Sequence, residues 1–311
     1  HMHILIGLIG LFILIATSLR RWLLRRETPQ VQAVDFQGEL YQVGQACVAR
    51  QGPEDAAQSV IVMPGFVENF LYFTAYYQDP ALQLIMLTSA NYHVPVNRPR
   101  YQKAAWVAPL RSRPGTIAYD AEVLNQALEH LATGHQVRVH GHSRGGAVIL
   151  EAARQRPELF SRVEVILEAP VLPQGKPFRE VPRAARWFLP FYLFAWQQQP
   201  ISPSNRHLFG PLDDPRKREL VSALPFNPRH GKTFVDNILD LADWMQRTPT
   251  DIFQHLQRGA ILVPEKDRIL QAEAMRRSAE QAANLQIIQI PDCSHLITLD
   301  RPACIPPLAE S

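Results

Sequence analysis

Cysteine is scarce in this chain of 311 residues: only Cys47, Cys293 and Cys304 occur. No disulfide framework can therefore carry the fold, although Cys293 and Cys304, eleven positions apart, could pair in an oxidising compartment; free buried thiols are the simpler expectation. Metal-site spacing is missing as well. There is no H-E-x-x-H, no C-x-x-C, and no glycine-rich stretch that fits a Walker or Rossmann loop, so no metal and no cofactor is implied. A basic body is the third absence. The formal net charge is +3, but Arg20, Arg21, Arg25 and Arg26 sit together near the start, and setting these four aside takes the balance to −1. No basic stripe interleaved with aromatics lies elsewhere, which removes the footprint of a nucleic-acid partner.

Charge is also absent from Ile4 to Leu19, almost wholly Ile, Leu, Gly and Phe. Extended to Leu24 with its arginines snorkelling, the run gives roughly 30 Å of helix, enough to span a bilayer. A membrane anchor is expected over residues 2–26, ahead of a cleaved signal or an interfacial helix, because no basic segment precedes the run and arginines follow it at once. His1 reads as a cloning remnant before Met2. Arginines on the C-terminal side would keep the body in the cytoplasm. A short polar, Pro-containing linker follows at 27–31.

The stretch around which the rest is organised is Val137-Arg-Val-His-Gly-His-Ser-Arg-Gly-Gly-Ala147. It reads as a buried strand over 136–140, a tight turn at Ser143, and a helix over 147–155 closed by Arg156-Pro157, with glycines at 141, 145 and 146 where side chains would collide. A serine gains from such a corner because its hydroxyl is lifted clear of the sheet and the next N–H, that of Arg144, can face a developing oxyanion. Earlier, Ser59-Val-Ile-Val-Met-Pro-Gly-Phe66 is an apolar strand ending in a Pro-Gly turn. Late in the chain, the stretch Gly259-Ala-Ile-Leu-Val-Pro-Glu-Lys-Asp-Arg268 resumes the sheet with Asp267 just past its strand, a charged helix is expected over 272–284, and the next strand runs into His295. The order Ser, Asp, His at strand ends points to Ser143 as nucleophile, Asp267 as orienting acid and His295 as general base. Glu265 and Asp292 are rival acids; His93, His140 and His142 are weaker bases because none ends a late strand.

Strands also fall at 83–87 and 163–170 and a helix at 119–131, with a hairpin expected at the sheet edge over 34–49. This alternation of strand and helix predicts a mostly parallel central sheet with helices on both faces. The rhythm stops for some eighty residues after Val171. There lies Arg-Ala-Ala-Arg-Trp-Phe-Leu-Pro-Phe-Tyr-Leu-Phe-Ala-Trp196, basic first and aromatic after. Its aromatics either pack a cap helix on the body, or some of Trp187, Phe188, Phe191, Phe194 and Trp196 line an acyl pocket or meet lipid.

Gly-His-Ser-Arg-Gly-Gly resembles the nucleophile elbow of the α/β-hydrolase superfamily, and the late Asp and His, 28 residues apart, stand as in its triad. That resemblance implies an α/β-hydrolase fold with an inserted helical cap. The domain division is then anchor 2–26, core 27–170, cap 171–255 and core 256–311. It also implies an oxyanion hole from the N–H groups of Phe66 and Arg144; the superfamily often has His before the glycine, where this chain has Pro64. Anchor, elbow, late Asp and His and aromatic cap together resemble the single-pass, inner-membrane-anchored phospholipase A and esterase enzymes of pseudomonads. What this implies is acyl-ester hydrolysis on a phospholipid or lysophospholipid substrate at the lipid bilayer, a fatty acid product, a periplasmic body and a homodimer. A carboxylesterase or thioesterase on soluble acyl substrates would share every catalytic residue, and a non-catalytic lipid-binding scaffold would keep the fold and lose the chemistry.

Overall fold

The uncharged opening run winds into α1 (Met2–Arg25) in a computed structural model that describes residues 1–26 and 32–309. The linker expected at 27–31 lies outside the described residues. Most of α1 stands clear of the body, with Ile4, Phe12 and Trp22 exposed. Its last turn does not: Leu23 is buried, and Leu24 comes so close to Gly231 that an added Cβ there would lie 3.0 Å from it.

A hairpin follows, β1 (Glu39–Val43) and β2 (Ala46–Gln51). Next come β3 (Gln58–Met63), the single turn α2 (Leu71–Thr74), β4 (Gln83–Thr88), the two-residue β5 (Tyr101–Gln102), α3 (Ile117–His130) and β6 (Gln136–His142). The chain continues through α4 (Arg144–Gln155) and β7 (Val163–Glu168). Helices alone fill the next stretch: α5 (Arg183–Gln198), α6 (Arg206–Phe209), α7 (Pro215–Ser222) and α8 (Gly231–Arg247). The last elements are β8 (Arg258–Pro264), α9 (Ala272–Ala279), β9 (Gln286–Ile290) and α10 (Ile297–Asp300).

The sheet order is β5-β1-β2-β4-β3-β6-β7-β8-β9. From β4 to β9 every pairing is parallel; β2 runs antiparallel to both β1 and β4. The hairpin expected at the edge is thus one strand in from it, because Tyr101 and Gln102 cover β1. Strands buried on both faces are continuously apolar, as in Gln-Leu-Ile-Met-Leu-Thr of β4, and alternate residues serve opposite layers. Ile61 and Met63 join the layer of α3 and α4, while Val60 and Val62 join Phe70, Phe73 and Leu220 on the other face. Each such side chain contributes roughly 1.5–3 kcal/mol on burial.

Two helix ends differ from expectation for local reasons. α4 starts at Arg144 rather than 147 because Gly145 and Gly146 enter its first turn. α9 stops at Ala279 rather than 284 because 280–285 tighten into turns that carry Ala282 and Leu285 into the core.

Candidate active site

Ser143 stands at the corner between β6 and α4 with φ 57° and ψ −119°. For a non-glycine residue such backbone strain costs about 1–3 kcal/mol and persists only where neighbours over-determine it. They do so here. Its N–H donates to the Glu168 carbonyl at 2.9 Å, and its own carbonyl accepts from Gly146 and Val171, both at 2.9 Å. Gly145 is packed so tightly on β3 that a Cβ would fall 2.2 Å from the Met63 carbonyl oxygen. The three central strands thereby clamp the corner.

Asp267 and His295 come from the loops after β8 and β9, and the structure brings them together. His295 Nδ1 lies 2.5 Å from Asp267 Oδ2. The other oxygen, Oδ1, accepts the N–H groups of Ile269 and Leu270 at 2.7 and 2.8 Å, so the carboxylate is held on both sides. Both residues are buried, and His295 lines the same cavity as Ser143. The rival acids are elsewhere: Glu265 is exposed, and Asp292 is exposed and paired with Lys266 at 2.5 Å. His93 meets His230 with the rings tilted, 4.6 Å between centroids. The three cysteines are free, and burial pushes the Cys293 thiol up to about 12.

Beneath Ser143 lies a buried polar network that pattern reading missed. His142, the last residue of β6, has Nδ1 at 2.7 Å from Glu68 Oε1 and Nε2 at 2.8 Å from the His295 carbonyl oxygen. Two acceptors on one imidazole require both nitrogens to donate, which is the charged ring. Burial opposes that charge, but Glu68 and Glu168 outweigh it and hold the pKa at about 9. Its neighbour on the strand is in the opposite state. His140 meets Glu168 through Nε2 at 2.8 Å and the Tyr77 hydroxyl through Nδ1 at 2.7 Å, a set that the neutral ring satisfies, and burial depresses its pKa despite Glu168. Glu168 also accepts from the Tyr72 hydroxyl and from the N–H and hydroxyl of Thr298. Burial would raise its pKa, but His142, His140 and Thr298 draw it down to about 2. The only signal in the sequence was His140, His142 and Glu168 standing at the ends of strands that pack into the core.

The loop after β3 passes close over this corner. Gly65 carries no side chain, and a Cβ there would lie 3.0 Å from that of Ser143. Its N–H donates to Glu68, and the N–H of Val67 donates to the Tyr92 hydroxyl at 3.3 Å. Among the described residues the N–H of Phe66, between them, has no acceptor, and that of Arg144 belongs to the first turn of α4, which has no intrahelical partner. Two free donors thus flank Ser143. The Arg144 side chain points away, buried against Asp120 at 2.6 Å.

A cavity of about 370 Å³ opens above Ser143 and His295. Its far wall is apolar, with Leu189, Leu193 and Trp196 from α5, Leu220 from α7, and Phe226. Of the five aromatics proposed for an acyl pocket, only Trp196 lines it. Trp187, Phe188, Phe191 and Phe194 do not, because helical spacing turns positions 189, 193 and 196 inward and these four away. Two of them meet α1 instead: the Arg20 guanidinium lies over Trp187 at 5.3 Å and that of Arg26 over Phe194 at 5.6 Å.

A family model described as "Alpha/beta hydrolase family" matches residues 60–303. The curated protein "Uncharacterized hydrolase YugF" of Bacillus subtilis (strain 168) is 25% identical over 261 residues, covering 77% of this chain and 93% of that protein. Among solved structures, a putative aryl esterase from Burkholderia cenocepacia superposes with a TM-score of 0.62 at 14% identity, covering 86% of this chain and 94% of that one. An esterase from Exiguobacterium antarcticum superposes with a TM-score of 0.60 at 15% identity, covering 86% and 96%. At such identities the two structures show a shared fold.

Proposed function

Since the chain belongs to the alpha/beta hydrolase family, we propose that it is a membrane-anchored serine hydrolase that cleaves acyl esters of glycerophospholipids or lysophospholipids. One observation carries the reading: a strained corner at Ser143 lines a largely apolar cavity together with His295, whose Nδ1 is held 2.5 Å from Asp267. Asp267 fixes the imidazole so that Nε2 is the nitrogen available to take the Ser143 proton. The serine oxygen then attacks the ester carbonyl, the N–H groups of Phe66 and Arg144 receive the oxyanion, and His295 returns a proton to the leaving alcohol. Water hydrolyses the acyl-enzyme by the same route and releases a fatty acid. The apolar wall suits a hydrocarbon chain, at ~0.8 kcal/mol for each methylene withdrawn from water. The exposed apolar length of α1 suits a bilayer, and its last turn, docked on the cap, keeps the cavity near that surface.

The test combines labelling with lipid turnover. A fluorophosphonate probe should label the whole chain and spare Ser143→Ala, and the labelled-competent protein should release fatty acid from phospholipid vesicles. Labelling of the alanine variant removes Ser143 from its role. Labelling without lipid turnover, beside rapid hydrolysis of short soluble esters, would make it a carboxylesterase.

A further inference from the structure

Besides Ser143 and His295, the polar residues that line the cavity include Gln32, Glu68, Asn69, Asn205 and two arginines. The segment after β7 turns back along the loop that carries Asp267. Phe178 N–H donates to the Ile269 carbonyl and Gln271 N–H to the Lys176 carbonyl, each at 2.9 Å, with Pro177 across from Leu270. Just past this bridge stand Arg179 on one segment and Arg268 on the other. Both side chains line the cavity that holds Ser143 and His295. Both residues are exposed, and among the described residues neither forms an ion pair with a carboxylate. Arg268 is held instead by the Phe178 ring, 5.1 Å from its Cζ, and by a 3.4 Å bond to the Asp267 carbonyl.

Two exposed guanidinium groups therefore line one largely apolar cavity, where a pair of planar forks matches an oxyanion bidentately and a pair of ammonium groups would not. Resting on the acyl-ester reading above, we propose that Arg179 and Arg268 form an anion subsite for a phosphate on the alcohol half of the substrate. The acyl half is accounted for elsewhere. Its carbonyl carbon must sit at Ser143 and its chain along α5 and α7, so a charge at the rim meets the other side of the scissile bond. A released fatty acid offers an anionic group as well, but its carboxylate carbon is the one bonded to Ser143 in the acyl-enzyme.

Binding separates this proposal from the hydrolytic one. Full-length Ser143→Ala protein in a neutral detergent is titrated calorimetrically with octyl phosphate, octanoate and octanol, which share one chain. Octyl phosphate should bind about tenfold tighter than octanol. Arg179→Gln or Arg268→Gln, each placed on that background, should lower its affinity about fivefold and lower octanol's affinity much less, with Arg268→Lys in between. Equal binding of phosphate and octanol, or equal losses on both in the glutamine variants, would overturn the subsite. Losses confined to octanoate would overturn the phosphate assignment in favour of the product. None of these readings depends on turnover, so a protein that binds octyl phosphate as described and hydrolyses no lipid would leave the subsite standing and remove the phospholipase reading.

Discussion

The floor and the roof of the cavity are built on opposite principles. The floor, made by the ends of β3, β6, β7, β8 and β9, is a lattice of named hydrogen bonds in which nearly every polar atom has an assigned partner, from Glu68 through His142 to the His295 carbonyl, and from Tyr77 through His140 to Glu168. The roof, made by α5 and α7, touches the cavity through Leu189, Leu193, Trp196 and Leu220, which have size and no direction. Reaction chemistry needs the first kind of wall, because proton transfer fails when a donor is misplaced by an ångström. Chain binding needs the second, since apolar contact is proportional to area and indifferent to orientation. Changes to the floor should therefore alter rates and stability, and changes to the roof should alter preference among substrates.

The largest effect is expected where the floor meets the reaction. Asp267→Asn should lower kcat/KM on a soluble ester about 10³- to 10⁴-fold, because the amide leaves the imidazole in the wrong tautomer. Glu265→Gln, on an exposed residue outside the cavity, should keep most of the activity. The reverse ranking would move the acid and break the proposed floor.

A smaller effect, on stability, tests the charged ring below Ser143. The pKa of His142 is raised in the folded protein from 6.5 to about 9. Its contribution is thus complete below pH 6.5 and is lost as pH rises through 9, a difference of about 3 kcal/mol. Glu168 works at the other end, where its pKa is lowered from 4.5 to about 2: stability present above 4.5 disappears as pH falls through 2. Denaturant melts of the wild type should therefore weaken from pH 6.5 to 9.5. His142→Gln should be less stable at pH 7 and should lose that alkaline slope, and an unchanged slope would show that another group titrates.

The two walls also differed in how far the sequence revealed them. Strand ends were legible, since Pro64-Gly65, Gly141 and the turn at Asp267 interrupt runs of Val, Ile and Leu, and a parallel sheet lines up such ends on one side. The partnership of Glu68 with His142 was not. The two are 74 residues apart, and no periodicity says which buried carboxylate meets which imidazole. The roof misled in another way. A cluster of five aromatics drew attention to Trp187, Phe188, Phe191 and Phe194, whereas the cavity face of α5 carries Leu189 and Leu193, which look ordinary in composition. Richness in aromatics marked the helix but could not give its rotation, which Pro190, packed against Gly231, and the docked end of α1 help to set.

The smallest expected effect concerns that roof. Trp196 is the one aromatic of α5 that reaches the cavity, and it also contacts Phe226 at 5.5 Å between ring centroids. Removing the indole in Trp196→Ala should lengthen the apolar channel without touching Asp267, His295 or the corner at Ser143. Loss of contact with two methylenes would cost ~1.6 kcal/mol of chain binding, or roughly tenfold in kcat/KM for the acyl chain that wild type prefers. A chain longer by several carbons should recover part of that loss by filling the space. Hydrolysis rates across p-nitrophenyl esters from C4 to C16 would then show the optimum moved to longer chains, with labelling by a small fluorophosphonate little altered. A uniform fall at every length would mean instead that Trp196 supports the fold of the cap, and the division between a directing floor and a measuring roof would fail at that residue.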